Sequence, residues 1–123
     1  MEGVAFSLKD TLTIFNELGI PVRAIRVGGG GARSPLWRQI QADVYGQPVE
    51  TVQAEEGAAY GAALLAGVGA GVWPSVDAAC DAVVHVAKRT PPDPAAVIVM
   101  RESYAKYRRI YPALRSIFPA GPE

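Results

Sequence analysis

Cysteine and histidine are almost absent from this chain: it has one of each, Cys80 and His85. A lone cysteine cannot close an internal disulfide, which points to a reducing compartment and makes the cytoplasm the expected location. Cys80 sits beside alanines with no partner base in sight, so it reads as a small core residue and not as a nucleophile. His85, in "VVHVA", has no second His or Cys at ligand spacing, which argues against metal binding and for a partly buried helix position. Charge of either sign is missing in excess, since 12 Lys+Arg balance 12 Asp+Glu. That balance gives no electrostatic ground for nucleic acid or an anionic membrane as a partner. The opening "MEGVAFSLKD" has an acid where a secretory signal needs a basic region. The longest apolar stretch, "AAYGAALLAGVGAGVW", is rich in glycine, follows "EE" and has no flanking basic anchors. It reads as a buried helix, and not as a membrane span.

What is present in quantity is apolar: half of the 123 residues are hydrophobic, enough for one folded domain. Val4, Leu8, Leu12, Phe15 and Leu18 recur at helical steps, predicting a helix over 2–18 with that stripe on the core, capped by Gly19 and ended by Pro21. "VRAIRV" (22–27) alternates as a short strand does. Ser34 followed by Pro35 is a favoured helix start, and the helix it predicts runs to Tyr45 with Leu36, Ile40 and Val44 on one face and Gly46 as its stop. "QPVETV" is a second strand. An alanine-rich helix is expected from Glu55 to about Gly67, and another, capped by Ser75, over "SVDAACDAVVHVA". "KRTPPDP" is the clearest break. A final helix over 94–118 carries Tyr104, Tyr107, Tyr111, Leu114 and Phe118 at steps of three and four. The order is α/β, with two strands that helices separate and that are therefore parallel. Two strands do not make a sheet that helices can cover on both faces, so partner strands are expected upstream in a longer chain or in another subunit.

The chemistry-bearing segment is "RVGGGGARSPLWRQ", residues 26–39. A strand that ends in glycines and runs into a helix start aims backbone N–H groups at one point, where the helix dipole also favours an anion. Glycine lets a phosphate approach the backbone where a Cβ would block it. A tight turn alone would need one or two glycines, and there are four, Gly28 to Gly31. The loop is not a P-loop, because "ARS" stands where G-K-[ST] would be. A dinucleotide fingerprint fails at its third glycine, where Arg33 or Ser34 stands, although Glu50 lies at the distance of a ribose-binding acid.

Four blocks, "EGVAFSLKD", "VGGGGARSPLWRQIQADVYGQPV", "EEGAAYGAALLAG" and "YAKYRRIYPAL", resemble in this order the C-terminal domain of the FGGY family of carbohydrate kinases, and within it the xylulokinases. The resemblance spans nearly the whole chain, with only about 72–98 generic. It implies a partial actin-like ATPase (ribonuclease H-like) domain, the C-terminal lobe of a two-lobed sugar kinase: 1–71 a nucleotide-binding core and 75–118 the C-terminal helices. It further implies ATP or ADP with Mg²⁺ as cofactor and a ketopentose such as D-xylulose as the parent enzyme's substrate. Carried over by position, Gly29, Gly30 and Gly31 approach the α-phosphate, Ser34 lies near the ribose or adenine, and Gly28, Ala32 and Arg33 complete the loop. Ala58, Gly61 and Ala62 would pack beneath it. The family's catalytic aspartate, first-lobe phosphate loop and sugar-binding residues lie upstream of the matched part. The chain is thus expected to hold half of a nucleotide site, to meet sugar only with the other lobe, and not to catalyse alone.

Other candidates weigh less. Asp43, Glu55 and Glu56 have the chemistry of a general base, but the glutamates stand where a helix starts and suit its dipole. Lys106, Arg108, Arg109 and Arg115 among tyrosines could bind nucleic acid; zero net charge favours tyrosines packed on the domain and arginines in solvent. Two further readings stand beside the kinase. One is an NAD(P)-binding half-domain of an oxidoreductase using Glu50. The other is a non-enzymatic module that forms homo-oligomers through a sheet edge and apolar surface.

Overall fold

The computed structural model describes residues 1–53 and 57–118. Helix α1 (Glu2–Glu17) is followed by strand β1 (Ile25–Arg26), a 3-10 turn (Gly30–Arg33), helix α2 (Pro35–Tyr45) and strand β2 (Val49–Val52). Then come α3 (Gly57–Gly69), α4 (Val76–Val83), β3 (Val86–Thr90), the long α5 (Pro94–Leu114) and a closing 3-10 turn (Arg115–Ile117). The three strands form one sheet in the order β1-β2-β3. β1 and β2 are parallel, with Ile25 opposite Val49 and Arg26 opposite Glu50; α2 is the crossover that a parallel pair requires. β2 and β3 are antiparallel, with Glu50 opposite Arg89 and an irregularity between Thr51 and Val52.

Local chemistry sets most element ends. The Ser34 hydroxyl accepts from the Trp37 N–H and Pro35 occupies the first turn of α2, while Gly46, at φ 69°, ends it in the left-handed region. Gly19, at φ 70°, turns the chain after α1, with its N–H on Asn16 O and that of Ile20 on Phe15 O. Ser75 caps α4 by accepting from Ala78 N–H, and Asp93 caps α5 by accepting from Ala95 and Ala96 N–H.

The core lies where α1, α2 and α5 meet. Ala5, Phe6, Val44 and Tyr104 are buried there, with Trp37, Ile40, Tyr45, Met100 and Tyr107 packed around them. The Phe6 ring sits 5.8 Å from Tyr104 and 5.5 Å from Tyr107, tilted to both and within the separations at which aromatic pairs attract. A polar strap binds the same helices. Tyr104 donates to Asp10 at 2.5 Å, Lys9 Nζ donates to Val44 O at 2.5 Å, and the ammonium lies 4.9 Å from the Tyr104 ring centre. Burial, and then the Arg101 charge, lower the Lys9 pKa; burial, and then the bond to Asp10, raise that of Tyr104.

Several sequence expectations are corrected here. The stripe predicted to face the core of α1 is turned outward: Val4 is 59 % and Leu18 68 % exposed, with Leu8 and Phe15 exposed as well. The covered face is instead Ala5 and Phe6, flanked by half-buried Lys9, Asp10 and Thr13, because α2 and α5 lie on that side only. On α2, Leu36 is exposed while Val44 is buried. The alanine-rich helix is not enclosed either; α3 packs on α4, and Leu64 is its one buried residue. Its expected start at Glu55 and Glu56 lies outside the described residues.

Among the described residues there are three strands, not two. Residues 86–90, divided in the sequence reading between a helix end and a break, form edge strand β3. Its Lys88 and Arg89 suit an exposed edge and hide the strand's apolar signal. His85 accordingly lies between α4 and β3 and is exposed, with its carbonyl accepting from Gln53 N–H. At the C-terminus Tyr104 is buried and Tyr107 half-buried, but Tyr111 and Phe118 lie open. Among the described residues no helix is long and apolar enough to cross a membrane.

Candidate functional site

The glycine segment links the end of β1 to the start of α2. Val27 N–H donates to Glu50 O at 2.8 Å, holding the last residue before the glycines to β2. Gly29 then turns at φ 73°, ψ −174° and opens the 3-10 turn, closed by Ala32 N–H on Gly29 O and Ser34 N–H on Gly31 O. The N–H groups that begin such a turn have no acceptor inside it and point outward.

The four glycines fall into two kinds. Gly29 is called for by its positive φ, and Gly31 relieves crowding with Trp37, whose ring would lie 3.2 Å from an added Cβ. Gly28 and Gly30 are required by neither, since nothing lies within 4 Å of where their Cβ would stand and neither has a positive φ. Turn geometry explains two glycines and leaves two that keep space open beside the backbone.

The space beside Gly28 belongs to a cavity of about 270 Å³ lined by Val27, Gly28, Gly29, Ala32, Arg33, Arg38, the β2 end at Thr51–Gln53, and Ala87. Its charged lining among the described residues is two arginines and no acid. A second, apolar depression adjoins the loop, bounded by Met1, Val4, Gly31, Ser34 and Trp37. The predicted site residues therefore divide: Gly28, Gly29, Ala32 and Arg33 share the polar cavity, Gly31 and Ser34 border the apolar one, and Gly30 lines neither. The Ser34 hydroxyl is engaged as the α2 cap. A larger cavity, about 580 Å³ between α1 and the end of α5, is lined by Asp10, Thr13, Glu17 and Arg108 as well as by open apolar side chains such as Tyr111 and Phe118.

Arg38 was not among the residues singled out from sequence. A charged residue in the second turn of a helix ordinarily reads as solvent-facing. Its spacing with Gln41 and Ala42, which share its helix face, is the signal that could have found it. Asp43, weighed above as a base, is buried and structural: its Oδ1 accepts from Gln39 Nε2 at 2.8 Å and Asp93 N–H at 2.7 Å. Glu50 is held between Arg26 and Arg89, at 4.0 and 3.9 Å across the sheet.

Residues 1–70 match the model of the FGGY family of carbohydrate kinases, C-terminal domain. The chain belongs to this family. It is 33 % identical over 118 residues to a xylulose kinase of Bacillus subtilis, covering 96 % of this chain and 22 % of that protein. It is 37 % identical over 114 residues to the L-xylulose/3-keto-L-gulonate kinase of Escherichia coli, covering 93 % and 23 %. The crystal structure of xylulose kinase from Rhodospirillum rubrum superposes with a TM-score of 0.78 at 31 % identity, over 94 % of this chain and 24 % of that one. The chain thus spans less than a quarter of the length of these relatives. Its fold is that of the C-terminal part of an FGGY kinase, a portion of the actin-like ATPase fold. FGGY membership favours the kinase reading over the NAD(P) half-domain, and Glu50 is committed to its two arginines.

Proposed function

We propose that this chain is the nucleotide-binding C-terminal portion of an ATP-dependent FGGY carbohydrate kinase whose parent phosphorylates a ketopentose such as D-xylulose. The observation that carries the reading is the open space at Gly28 in a cavity whose charged lining, among the described residues, is two arginines. Bare glycine backbone beside a cationic cavity at a helix start has the chemistry of a phosphate cradle. The apolar depression beside Gly31, Ser34 and Trp37 has the chemistry of a surface for a purine base. Xylulose kinases among the relatives support the substrate class.

In this reading 1–71 forms the nucleotide-binding core and 75–118 the C-terminal helices, and the family match over 1–70 supports that division. The glycine N–H groups bind and orient the ADP part of the nucleotide, and closure against the other lobe excludes water so that phosphate passes to sugar. The residue that takes the sugar proton lies outside this chain. Mg²⁺ neutralises phosphate charge in such transfers. No group of three or more His, Cys, Asp or Glu stands together among the described residues, so none is assigned to the metal. A reducing cytoplasm is the proposed location, in keeping with the single cysteine.

The test is a ¹H–¹⁵N titration following the amides of residues 28–31 with MgADP and, separately, NAD⁺. MgADP shifts them and NAD⁺ does not. Gly28→Ala, which meets no neighbour, keeps the spectrum and weakens the MgADP response about tenfold, a loss of roughly 1.4 kcal/mol. A dispersed spectrum that ignores MgADP, or one that responds to NAD⁺ alone, refutes the reading.

A further inference from the structure

Arg38 is the one charged residue of α2's first two turns that the fold encloses. It is 7 % exposed and lines the glycine-loop cavity with Gly28, Gly29 and Ala32. Its Nη1 donates to the carbonyl of Ala32, inside the 3-10 turn that the glycines open. Its Nε is buried and has no acceptor, and no carboxylate among the described residues pairs with it.

A guanidinium keeps its charge at any physiological pH and presents a planar fork of N–H donors. Buried charges are ordinarily paired, because desolvation penalises a lone one heavily. The neighbouring acids among the described residues are engaged elsewhere: Asp43 holds Gln39 and Asp93, and Glu50 holds Arg26 and Arg89. Among the described residues, the compensation that geometry leaves to this cation lies in the cavity it borders.

We infer that Arg38 is the countercharge of the glycine loop: it braces the 3-10 turn through Ala32 O and makes the cavity selective for a ligand carrying phosphate over its uncharged nucleoside. This rests on the nucleotide-binding reading above. Two roles are joined in one side chain, since the brace sets where the glycine N–H groups point while the unpaired charge favours an anion there. Arg33, also on the cavity, stands on the exposed side of the turn and is screened by water as Arg38 is not.

The experiment compares dissociation constants for ADP and adenosine, read from the amides of residues 28–31, in the unaltered chain, Arg38→Met and Arg38→Lys. Arg38→Met keeps the length and loses the charge; the preference for ADP over adenosine falls at least tenfold, about 1.4 kcal/mol. Arg38→Lys keeps the charge and most of the preference. A merely structural arginine would weaken both ligands alike, so an unchanged ratio in Arg38→Met overturns the inference, as does an equal loss in both variants. Should Arg38→Met not fold, the Nε–H resonance of Arg38 in the unaltered chain decides. It shifts with ADP and with inorganic pyrophosphate and stays still with adenosine; a resonance unmoved at saturating ADP overturns the inference. An unaltered chain that binds ADP with either negative result sinks only the role of Arg38, whereas one that binds no ADP sinks the nucleotide reading and this inference together.

Discussion

Replacing Asp43 by alanine removes the acceptor that joins α2 to the start of α5. Its Oδ1 takes two hydrogen bonds, from the Gln39 amide at 2.8 Å and the Asp93 N–H at 2.7 Å. Asp93 is itself the cap of α5, with Ala95 N–H 2.8 Å from its carboxylate, so the loss falls on the residue that begins the longest helix. Hydrogen bonds to a charged group contribute about 1.5–3 kcal/mol each, but the two share one oxygen and the carboxylate's own burial penalty is relieved. A net destabilisation of about 3 kcal/mol follows, a large part of the roughly 5–15 kcal/mol that a small domain has. At about 4 °C per kcal/mol for this size, Tm falls by roughly 12 °C. Asp43→Asn keeps an oxygen in place and loses only charge, at about 1 kcal/mol. Urea unfolding followed by circular dichroism at several temperatures measures both. Asp43→Ala within about 0.5 kcal/mol of the unaltered chain, or Asp43→Asn as damaging as Asp43→Ala, would refute the bridging role. Asp43→Asn also leaves the MgADP response of residues 28–31 intact, because Asp43 does not line the cavity.

Gly46→Ala forces a Cβ into the left-handed region without a clash, Val97 being 3.7 Å away; urea unfolding registers a loss of about 1 kcal/mol. Ser34→Ala removes the oxygen that caps α2 and costs about 1 kcal/mol, measured the same way. The native state holds the Tyr104 proton more tightly than the unfolded chain does, first through burial and then through Asp10. The resulting stability is intact below the ordinary tyrosine pKa and is lost as pH rises through the raised one. The advantage of the unaltered chain over Tyr104→Phe in urea therefore shrinks as pH rises above about 10; the opposite, lowered shift of Lys9 acts in both proteins and cancels to first order. An advantage that stays constant or grows as pH rises above about 10 contradicts the assignment. Finally, the open apolar face of α1 is expected to drive association with rising concentration, and Val4→Glu with Leu18→Glu to suppress it in light scattering; equal scattering from both proteins sinks that expectation.

What could be read from the sequence was whatever is settled within a few residues. The Ser34–Pro35 start and Gly46 stop place α2 to the residue, since a cap oxygen and a left-handed glycine act on backbone three or four positions away. Gly19 and Ser75 are legible for the same reason, and so is the turn of the glycine loop into a helix start, because glycines before a helix start act locally. The family blocks set the fold class by resemblance. Three things were decided only in the tertiary structure. α1 offers apolar residues on more than one side, and contacts with Val44, Tyr104 and Tyr107, distant in the chain, select the Ala5–Phe6 face over the Val4–Leu18 stripe. β3 exists because β2 has an open edge for Val86–Thr90 to pair with, and its basic residues conceal it in a one-dimensional pattern. Arg38 is enclosed because β2 and the glycine turn close over it, so its charge, ordinary in the sequence, becomes a buried feature of the site. Spacing along one helix reports which residues share a face; only the packing of distant segments determines which face loses its water.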